Sequence, residues 1–162
     1  MSLRQLQNAT GKTIKWSKSK NPPKGMKTDA KIVGIYDGDT CDLAYRQNKK
    51  LRRKKCRLAS INAPEMRKKP VEAKKSRDFL GWLCTGGRKT PSRFPHTSPP
   101  WTSKRLQSRL DKNRSLVHAE FHGDGKYRRP IVTIKKTKQS KKSFNKYLLE
   151  NGYAKPYRKR RK

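Results

Sequence analysis

The chain has 162 residues, which is enough for one domain with tails. Its 45 Lys and Arg residues against 11 Asp and Glu residues give a formal net charge of +34, so a polyanionic partner is needed to offset the self-repulsion, and nucleic acid is the first candidate. Because the sequence has no apolar run near the ~20 residues of a membrane span, no secretory signal and no broad amphipathic helix, we expect an intracellular protein, cytoplasmic or nuclear, that does not bind membranes.

Hydrophobic residues make up 30% of the chain, which predicts a small core with long stretches outside it. The three cysteines, Cys41, Cys56 and Cys84, form no CxxC pair, so neither a zinc module nor a disulfide framework is indicated. We expect them to be buried thiols in a protein of a reducing compartment.

Residues 1–28 are polar and basic, and the Asn-Pro-Pro-Lys-Gly segment at 21–25 breaks regular structure. We therefore predict a flexible basic arm at the N-terminus. Trp16 lies inside this arm and either stacks on a base or docks on the domain that follows.

The domain predicted at 29–157 combines strand and helix patterns. Alternation of apolar and polar residues predicts five strands, at 30–36, 41–45, 51–61, 115–121 and 130–135. Spacing of three to four residues predicts helices at 71–84 and 144–152, and Gly152 is a suitable terminator of the second. The order is three strands, a helix, two strands and a helix, followed by a basic tail at 158–162.

Residues 85–114 interrupt this order. Their Gly, Pro, Ser, Thr and Arg content predicts a long mobile insertion, in which 104–111 is the one candidate for a short basic helix. Two explanations of the insertion stay open: a nucleic-acid-binding loop, or an error in the gene model.

Acidic residues are scarce, so their positions are informative. Asp37, Asp39 and Asp42 lie close together, and Asp37 and Asp39 on a Gly-containing turn offer hard oxygen ligands suited to Ca²⁺ or Mg²⁺. Glu65 follows Pro64 at the end of the third strand, where it is a rigid, exposed carboxylate. With arginines to hold phosphate oxygens, these groups suit phosphodiester hydrolysis, although Asp-Gly-Asp is also a common turn sequence.

Four segments, in family order, resemble motifs of the staphylococcal nuclease (thermonuclease) family. Residues 35–43, IYDGDTCDL, resemble its "IDGDTxxL", and residues 57–65, RLASINAPE, resemble its "RLxxIDAPE". Residues 126–130, KYRRP, are similar to its "KYGR" turn, and residues 145–154, NKYLLENGYA, to its "NxxLLxxGxA" helix end. The resemblance covers about residues 30–84 and 115–157.

The resemblance implies an α+β fold, mainly β, with a five-stranded OB-fold barrel and packed helices. It also implies Ca²⁺-dependent cleavage of DNA and RNA with little sequence preference. Its implied calcium ligands are the Asp39 carboxylate, Asn62 and the Ala63 carbonyl. Asp37 would shape the metal site through hydrogen bonds, or would simply form the turn; the choice between these two roles is even.

The resemblance also implies the groups that act on the phosphate. Glu65 would be the general base that activates water, and Arg57 and Arg129 would grip the phosphate and stabilise its charge in the transition state. A slip of one residue in the alignment would exchange Arg129 for Arg128.

The chain departs from the family pattern in two further ways. The family usually has Asp where this chain has Asn62, so the site loses one negative charge and calcium affinity should fall. The sequence stops soon after Tyr157, so the long last helix of the prototype is expected to be absent, and the N-terminal arm is one candidate to pack in its place.

Three functions are therefore compared. The first is a calcium-dependent endonuclease, expected to act as a monomer on nucleic acid. The second is a weakened thermonuclease-like domain kept as a non-enzymatic nucleic-acid-binding module. The third is a basic structural protein, such as a packaging or ribosome-associated factor, which explains the charge but not the four motifs.

Overall fold

A computed structural model of the chain describes residues 3–85 and 100–157. The strands and helices follow one another along the chain in an α+β arrangement in which strands predominate. They are α1 (Leu3–Gln7), β1 (Lys27–Asp37), β2 (Thr40–Gln47), β3 (Lys50–Leu58), β4 (Ile61–Asn62), α2 (Pro70–Thr85), α3 (Ser103–Lys112), β5 (Val117–Asp124), a 3-10 turn (Lys126–Arg128), β6 (Pro130–Lys135), α4 (Phe144–Glu150) and β7 (Lys155–Pro156).

Five strands close into a barrel in the order β1-β2-β3-β6-β5. The pairs β1–β2, β2–β3, β5–β6 and β1–β5 are antiparallel, whereas β3 and β6 run parallel and pair at Arg57 with Ile131 and at Leu58 with Val132. The five strands predicted from the sequence are all present. The predicted third strand is too long at its end, because Ser60 adopts a positive φ of 67° and turns the chain before Ile61. Residues Ile61–Asn62 pair instead with Lys155–Pro156.

The barrel is filled from the apolar side of each strand. Val117, Ala119 and Phe121 are buried at every second position of β5, which is the pattern of a strand with one face in the core. The rings of Tyr45 and Phe121 lie 5.2 Å apart inside the barrel. The cysteines at positions 41, 56 and 84 are free and buried, as predicted, and burial raises the pKa of each thiol above its ordinary value.

Helix α2 closes one side of the barrel and confirms the helix predicted at 71–84. It starts at Pro70, which fits the first turn because the missing N–H has no partner in a helix there. The buried guanidinium of Arg77 pairs with Asp78 at 3.0 Å and donates to the Trp101 carbonyl at 2.5 Å. The Trp101 amide donates to Asp78 at 2.8 Å, so this pair attaches the segment after residue 99 to α2.

The prediction of a mobile insertion at 85–114 is wrong for its second half. Helix α3 confirms the short basic helix predicted at 104–111, and it packs on the domain through its buried side chains Leu106 and Leu110. Thr102 caps its first turn, where its side chain accepts from the Arg105 amide. Residues 86–99 lie outside the described part of the chain.

The prediction of a flexible arm at 1–28 is also wrong for the residues that the structure describes. Leu6 and Ala9 are buried in a second, smaller apolar cluster with Val33 and Ala44 on the outside of β1 and β2. The buried ammonium of Lys31 donates to the Gln7 and Ala9 carbonyls. Burial, together with the nearby Arg114 charge, lowers the pKa of Lys31 to about 8.

The middle of the arm is held by β3. The Arg53 guanidinium donates to the carbonyls of Gly11, at 2.7 Å, and Ile14, at 2.9 Å. It also lies 4.0 Å from the centre of the Trp16 ring, so Trp16 docks on the domain. The amide of Ser17 donates to the Arg53 carbonyl, which extends the edge of the sheet.

The packing of the arm on the domain is expected to contribute to the stability of the protein. Leu6→Ala is expected to lower the free energy of unfolding by about 3 kcal/mol, because Leu6 is 0% exposed and its truncation leaves a cavity under α1. Urea denaturation followed by circular dichroism measures the change. Leu3→Ala is the matched control, since Leu3 is 44% exposed; equal, small effects of the two substitutions would mean that the arm is not packed.

The C-terminal part confirms the helix predicted at 144–152, with α4 ending at Glu150 and Gly152 adopting a positive φ of 77° beyond it. The buried Asn145 amide fastens this helix to the barrel, since it donates to the Ala59 and Val132 carbonyls and accepts from the Ile134 amide. No helix in the described residues is both long enough and apolar enough to cross a bilayer.

Candidate active site

The acidic turn is the tight connection between β1 and β2, in which Asp37 pairs with Thr40 around Gly38 and Asp39. The Asp39 amide donates to the Asp37 carboxylate at 3.0 Å, which is the hydrogen bond that an Asp commonly makes two residues ahead in a turn. A Cβ atom on Gly38 would lie 1.8 Å from the Ser76 hydroxyl. Only glycine therefore lets the acidic turn approach α2 this closely.

Asp39 joins three parts of the chain through one carboxylate. Its Oδ1 accepts from the Arg57 guanidinium at 3.0 Å and from the Thr40 hydroxyl at 3.0 Å. Its Oδ2 accepts from the Ala63 amide at 2.7 Å. The side chain is 6% exposed, so this carboxylate is an ordered, nearly buried connection between the acidic turn, β3 and the segment after β4.

Asp37 is the second carboxylate of the turn. Burial raises the pKa of Asp37 to about 7, and the charge of Asp39 adds to the shift. A neighbouring cation would offset this shift, because it would favour the charged form of the carboxylate. The bond to the Asp39 amide fits both roles considered for Asp37, turn formation and support of a metal site.

Arg57 lies opposite Thr40 in the β2–β3 pair, which brings its side chain over the acidic turn. Besides Asp39, it donates to the Ile61 carbonyl at 3.1 Å and to the Asn62 side-chain oxygen. Its guanidinium carbon lies 5.6 Å from the centre of the Tyr157 ring, and 22% of the side chain stays exposed. The arginine is thus fixed in place while part of it still faces solvent.

Glu65 stands beside this cluster. Its side chain is 67% exposed and pairs with Lys68 at 3.7 Å. Glu65, Asn62 and Ala63 line one cavity of about 350 Å³, whose opposite wall is the segment 152–156. The structure therefore places the predicted base next to two of the three predicted metal ligands.

Arg129 is placed differently. It lines a separate groove with Lys55, and its guanidinium carbon lies 5.5 Å from the centre of the Tyr127 ring. Arg129 precedes β6 and lies two residues before Ile131, the partner of Arg57, so an extended chain places it about 7 Å from Ile131. Strand alternation puts Arg57, Ile131 and Arg129 on the same outer face of the barrel. Arg129 is a neighbour of the candidate site and does not line the Glu65 cavity.

The three predicted calcium ligands are of a suitable chemical type, but together they carry little negative charge. The Asp39 carboxylate, the Asn62 amide oxygen and the Ala63 carbonyl are hard oxygen ligands of the type that Ca²⁺ prefers. Arg57 bonds to two of these oxygens and offsets the Asp39 charge. Within residues 3–85 and 100–157, no group of three His, Cys, Asp or Glu side chains is arranged to hold a metal ion, so a calcium ion would depend on the amide and carbonyl ligands.

Two contributors to the site are not among the residues predicted from the sequence. The wall at 152–156 faces Glu65 across the cavity, and Tyr157 lies under Arg57. The Tyr157 amide donates to the Ser60 carbonyl, which holds this wall against the turn before β4. The sequence indicated this contribution only through Tyr157, an aromatic residue in the C-terminal basic stretch.

No protein-family model matches the chain, and a comparison with curated proteins finds no significant match.

Proposed function

We propose that the chain is a calcium-dependent endonuclease that hydrolyses phosphodiester bonds of DNA, RNA or both with little sequence specificity. The observation that carries the proposal is the single carboxylate of Asp39, which accepts from Arg57, Thr40 and the Ala63 amide. Through these bonds the acidic turn, the end of β3 and the segment that carries Glu65 meet at one place.

The barrel supports this proposal through its architecture. A closed five-stranded barrel in the order β1-β2-β3-β6-β5, with one parallel contact, fits an OB fold. OB folds bind nucleic acid across one barrel face, through cations that follow the backbone. The formal charge of +34 gives this chain the electrostatic attraction that such binding needs.

Each residue at the site has a role in in-line attack on phosphorus. Glu65 is largely exposed, so its carboxylate can accept a proton from a water molecule, and it pairs with Lys68 at the surface. Arg57 presents a fixed guanidinium to the phosphate oxygens, where charge builds up in the transition state. Asp39, Asn62 and Ala63 would hold the calcium ion, which supplies Lewis-acid polarisation of a phosphate oxygen.

Arg129 takes a modified role in the proposal. Arg129 lies two residues before Ile131, which pairs with Arg57. We therefore assign Arg129 to the phosphate adjacent to the one attacked. The test of the function as a whole is degradation of plasmid DNA and of RNA with millimolar calcium and with a chelator. Cleavage that persists unchanged in chelator would contradict calcium dependence, and no cleavage of either substrate would contradict the enzyme.

A second function is favoured by one observation at the same site. Asn62 replaces a carboxylate with a neutral amide, and its oxygen already accepts from Arg57. A metal site weakened in this way would leave a domain that binds nucleic acid without cutting it. Strong, salt-sensitive binding with no cleavage would select this second function.

A carboxylate at position 62 distinguishes the endonuclease from the non-enzymatic binding module. Asn62→Asp is expected to raise calcium affinity at least about tenfold, because an added carboxylate increases the ligand charge while Arg57 limits the repulsion. Isothermal titration with calcium measures the affinity, and a plasmid assay reports whether cleavage rises with it. Asn62→Ala, which removes the oxygen, is the matched control and should lower the affinity. Unchanged affinity in both variants would place the metal elsewhere.

A further inference from the structure

The docked arm forms one wall of a large groove on the outer surface of the barrel. The other walls are β3 and the turn between β5 and β6, and the groove encloses about 930 Å³. We call it the arm groove. Asn21 closes its far end, where the side-chain amide donates to Asp124 at 2.9 Å and to the Arg128 carbonyl at 2.5 Å.

The arm groove is strongly cationic. Asp124 is the one acidic residue among its described lining residues, and it already accepts from Asn21. The described lining residues include eight cations: Lys18, Lys20, Lys24, Arg53, Lys54, Lys55, Arg128 and Arg129. A surface of this kind concentrates anionic ligands.

The cations of the groove divide into two kinds. Arg53 and Lys54 are used to hold the arm, since the Lys54 ammonium donates to the Ser17 and Ser19 carbonyls, and burial lowers the pKa of Lys54. By contrast, Lys18, Lys20 and Lys24 are exposed and form no hydrogen bond or ion pair within the described part of the chain. Their charges are therefore available to a ligand.

Arg129 adds a donor that is already oriented. Its Nε is buried yet has no hydrogen-bond partner in the described residues. A buried donor without a partner costs free energy, so a ligand oxygen that reaches it would be favoured.

The groove lies next to the candidate active site along β3, since Lys55 lines the groove and Arg57 is two residues further along the strand. Lys55 and Arg57 stand on the same outer face of β3, two residues and about 7 Å apart. That step is comparable to the distance between successive phosphates of an extended single strand. A strand whose phosphate contacts Arg57 can therefore place its next phosphates at Lys55 and Arg129, and later ones along the arm.

Two aromatic rings stand at the edges of the groove. Tyr127 is 86% exposed, and Trp16, whose ring contacts Arg53, is 49% exposed. Exposed rings beside a basic track stack on unpaired bases, whereas paired bases in a duplex present no free face. The rings favour a single strand as the occupant.

We propose that the arm groove binds the sugar-phosphate backbone of a single nucleic-acid strand, on one side of the phosphate held at Arg57. The inference depends on the proposed function only for the class of ligand, a phosphodiester chain, and it requires no cleavage. The lysines at positions 18, 20 and 24 are the part of this surface that the N-terminal arm contributes.

The test removes these three charges and measures binding without metal. A fluorescein-labelled single-stranded oligonucleotide is titrated with protein in EDTA, and anisotropy gives the affinity over a range of salt concentrations. The triple variant Lys18→Gln, Lys20→Gln, Lys24→Gln is expected to bind roughly 50-fold more weakly at about 0.15 M salt, and its salt slope should fall by about 2. The matched control removes three exposed charges outside the groove: Lys136→Gln, Lys141→Gln and Lys146→Gln.

The comparison of the two triple variants decides the inference. Equal losses of affinity would overturn it, because net charge alone would then explain binding. Stronger binding of a duplex than of a single strand by the parent protein would also overturn it. Hydrolysis of bis(p-nitrophenyl) phosphate, which has no flanking nucleotides, reports the cleavage chemistry of the parent protein apart from the groove. If the parent protein cleaves neither this ester nor nucleic acid, the proposed nuclease fails while the binding comparison still decides the groove.

Discussion

Glu65→Gln is expected to slow phosphodiester cleavage by about 10²- to 10⁴-fold, because it removes the one exposed carboxylate in the cavity beside Asn62 and Ala63. The amide keeps the size of the side chain but cannot accept a proton from water. Initial rates on a fluorogenic oligonucleotide at saturating calcium measure the loss. Since Glu65 is largely exposed, the variant should unfold at the same urea concentration as the parent.

The control for this variant is Glu72→Gln, the same substitution at an exposed position in the first turn of α2. It should cleave at the parental rate. If the Glu65 variant were as active as the Glu72 variant, Glu65 would not be the base. Another group, or water alone, would then accept the proton.

Asp39→Asn is expected to reduce both cleavage and stability. The carboxylate accepts on both oxygens, so an amide must turn its NH₂ group either toward the Ala63 amide or toward Arg57 and Thr40. In either orientation the NH₂ group faces another N–H or O–H donor, and a hydrogen bond is lost. We therefore expect the free energy of unfolding to fall by about 2 kcal/mol. The loss of the calcium-binding charge should lower the cleavage rate at least about 100-fold.

Urea denaturation and cleavage assays at saturating calcium measure the two effects of Asp39→Asn separately. Asp29→Asn is the control, since it removes one exposed acidic charge from β1, the strand that leads into the acidic turn. A variant at position 39 that is fully stable would contradict the hydrogen bonds assigned to this carboxylate. Full activity would contradict its role at the metal.

The strands of the barrel could be predicted from the sequence because their signals are local, whereas the closed barrel was implied only by the resemblance of the four motifs. The alternation in β5 and β6 depends on residues two apart, and the acidic turn depends on Gly38 between two aspartates. The contact of Arg57 with Asp39 also follows from a hairpin register that short turns impose. These interactions involve neighbouring strands, so sequence spacing contains the information.

The docking of the arm could not be predicted in this way. It depends on a few apolar residues, chiefly Leu6 and Ala9, in a segment whose average composition is that of a disordered tail. Their partners on β1 and β2, and the Arg53 bonds to Gly11 and Ile14, are distant in sequence. Composition averages over such single residues and therefore hides them.

The place of Arg129 shows a similar limit at the candidate site. The motif fixes its position in sequence, but only the parallel register of β3 with β6 shows that it stands beside Lys55. The motif leaves a choice between Arg128 and Arg129 as the phosphate-binding arginine. Arg128 is exposed, whereas Arg129 has a buried Nε, and this difference favours Arg129. Glu65 and Arg129, which the resemblance assigns to the same phosphate, line two different recesses.

The ammonium of Lys31 has a consequence for how the chain folds. It is buried in the wall of the barrel, and the carbonyls that solvate it belong to Gln7 and Ala9. Without the arm, the ammonium would lose both carbonyls, and Val33 and Ala44 would lose the apolar side chains of Leu6 and Ala9 that cover them. Residues 3–28 and the strands are therefore expected to gain and lose structure together, as one cooperative folding unit and not as a preformed barrel with a tether.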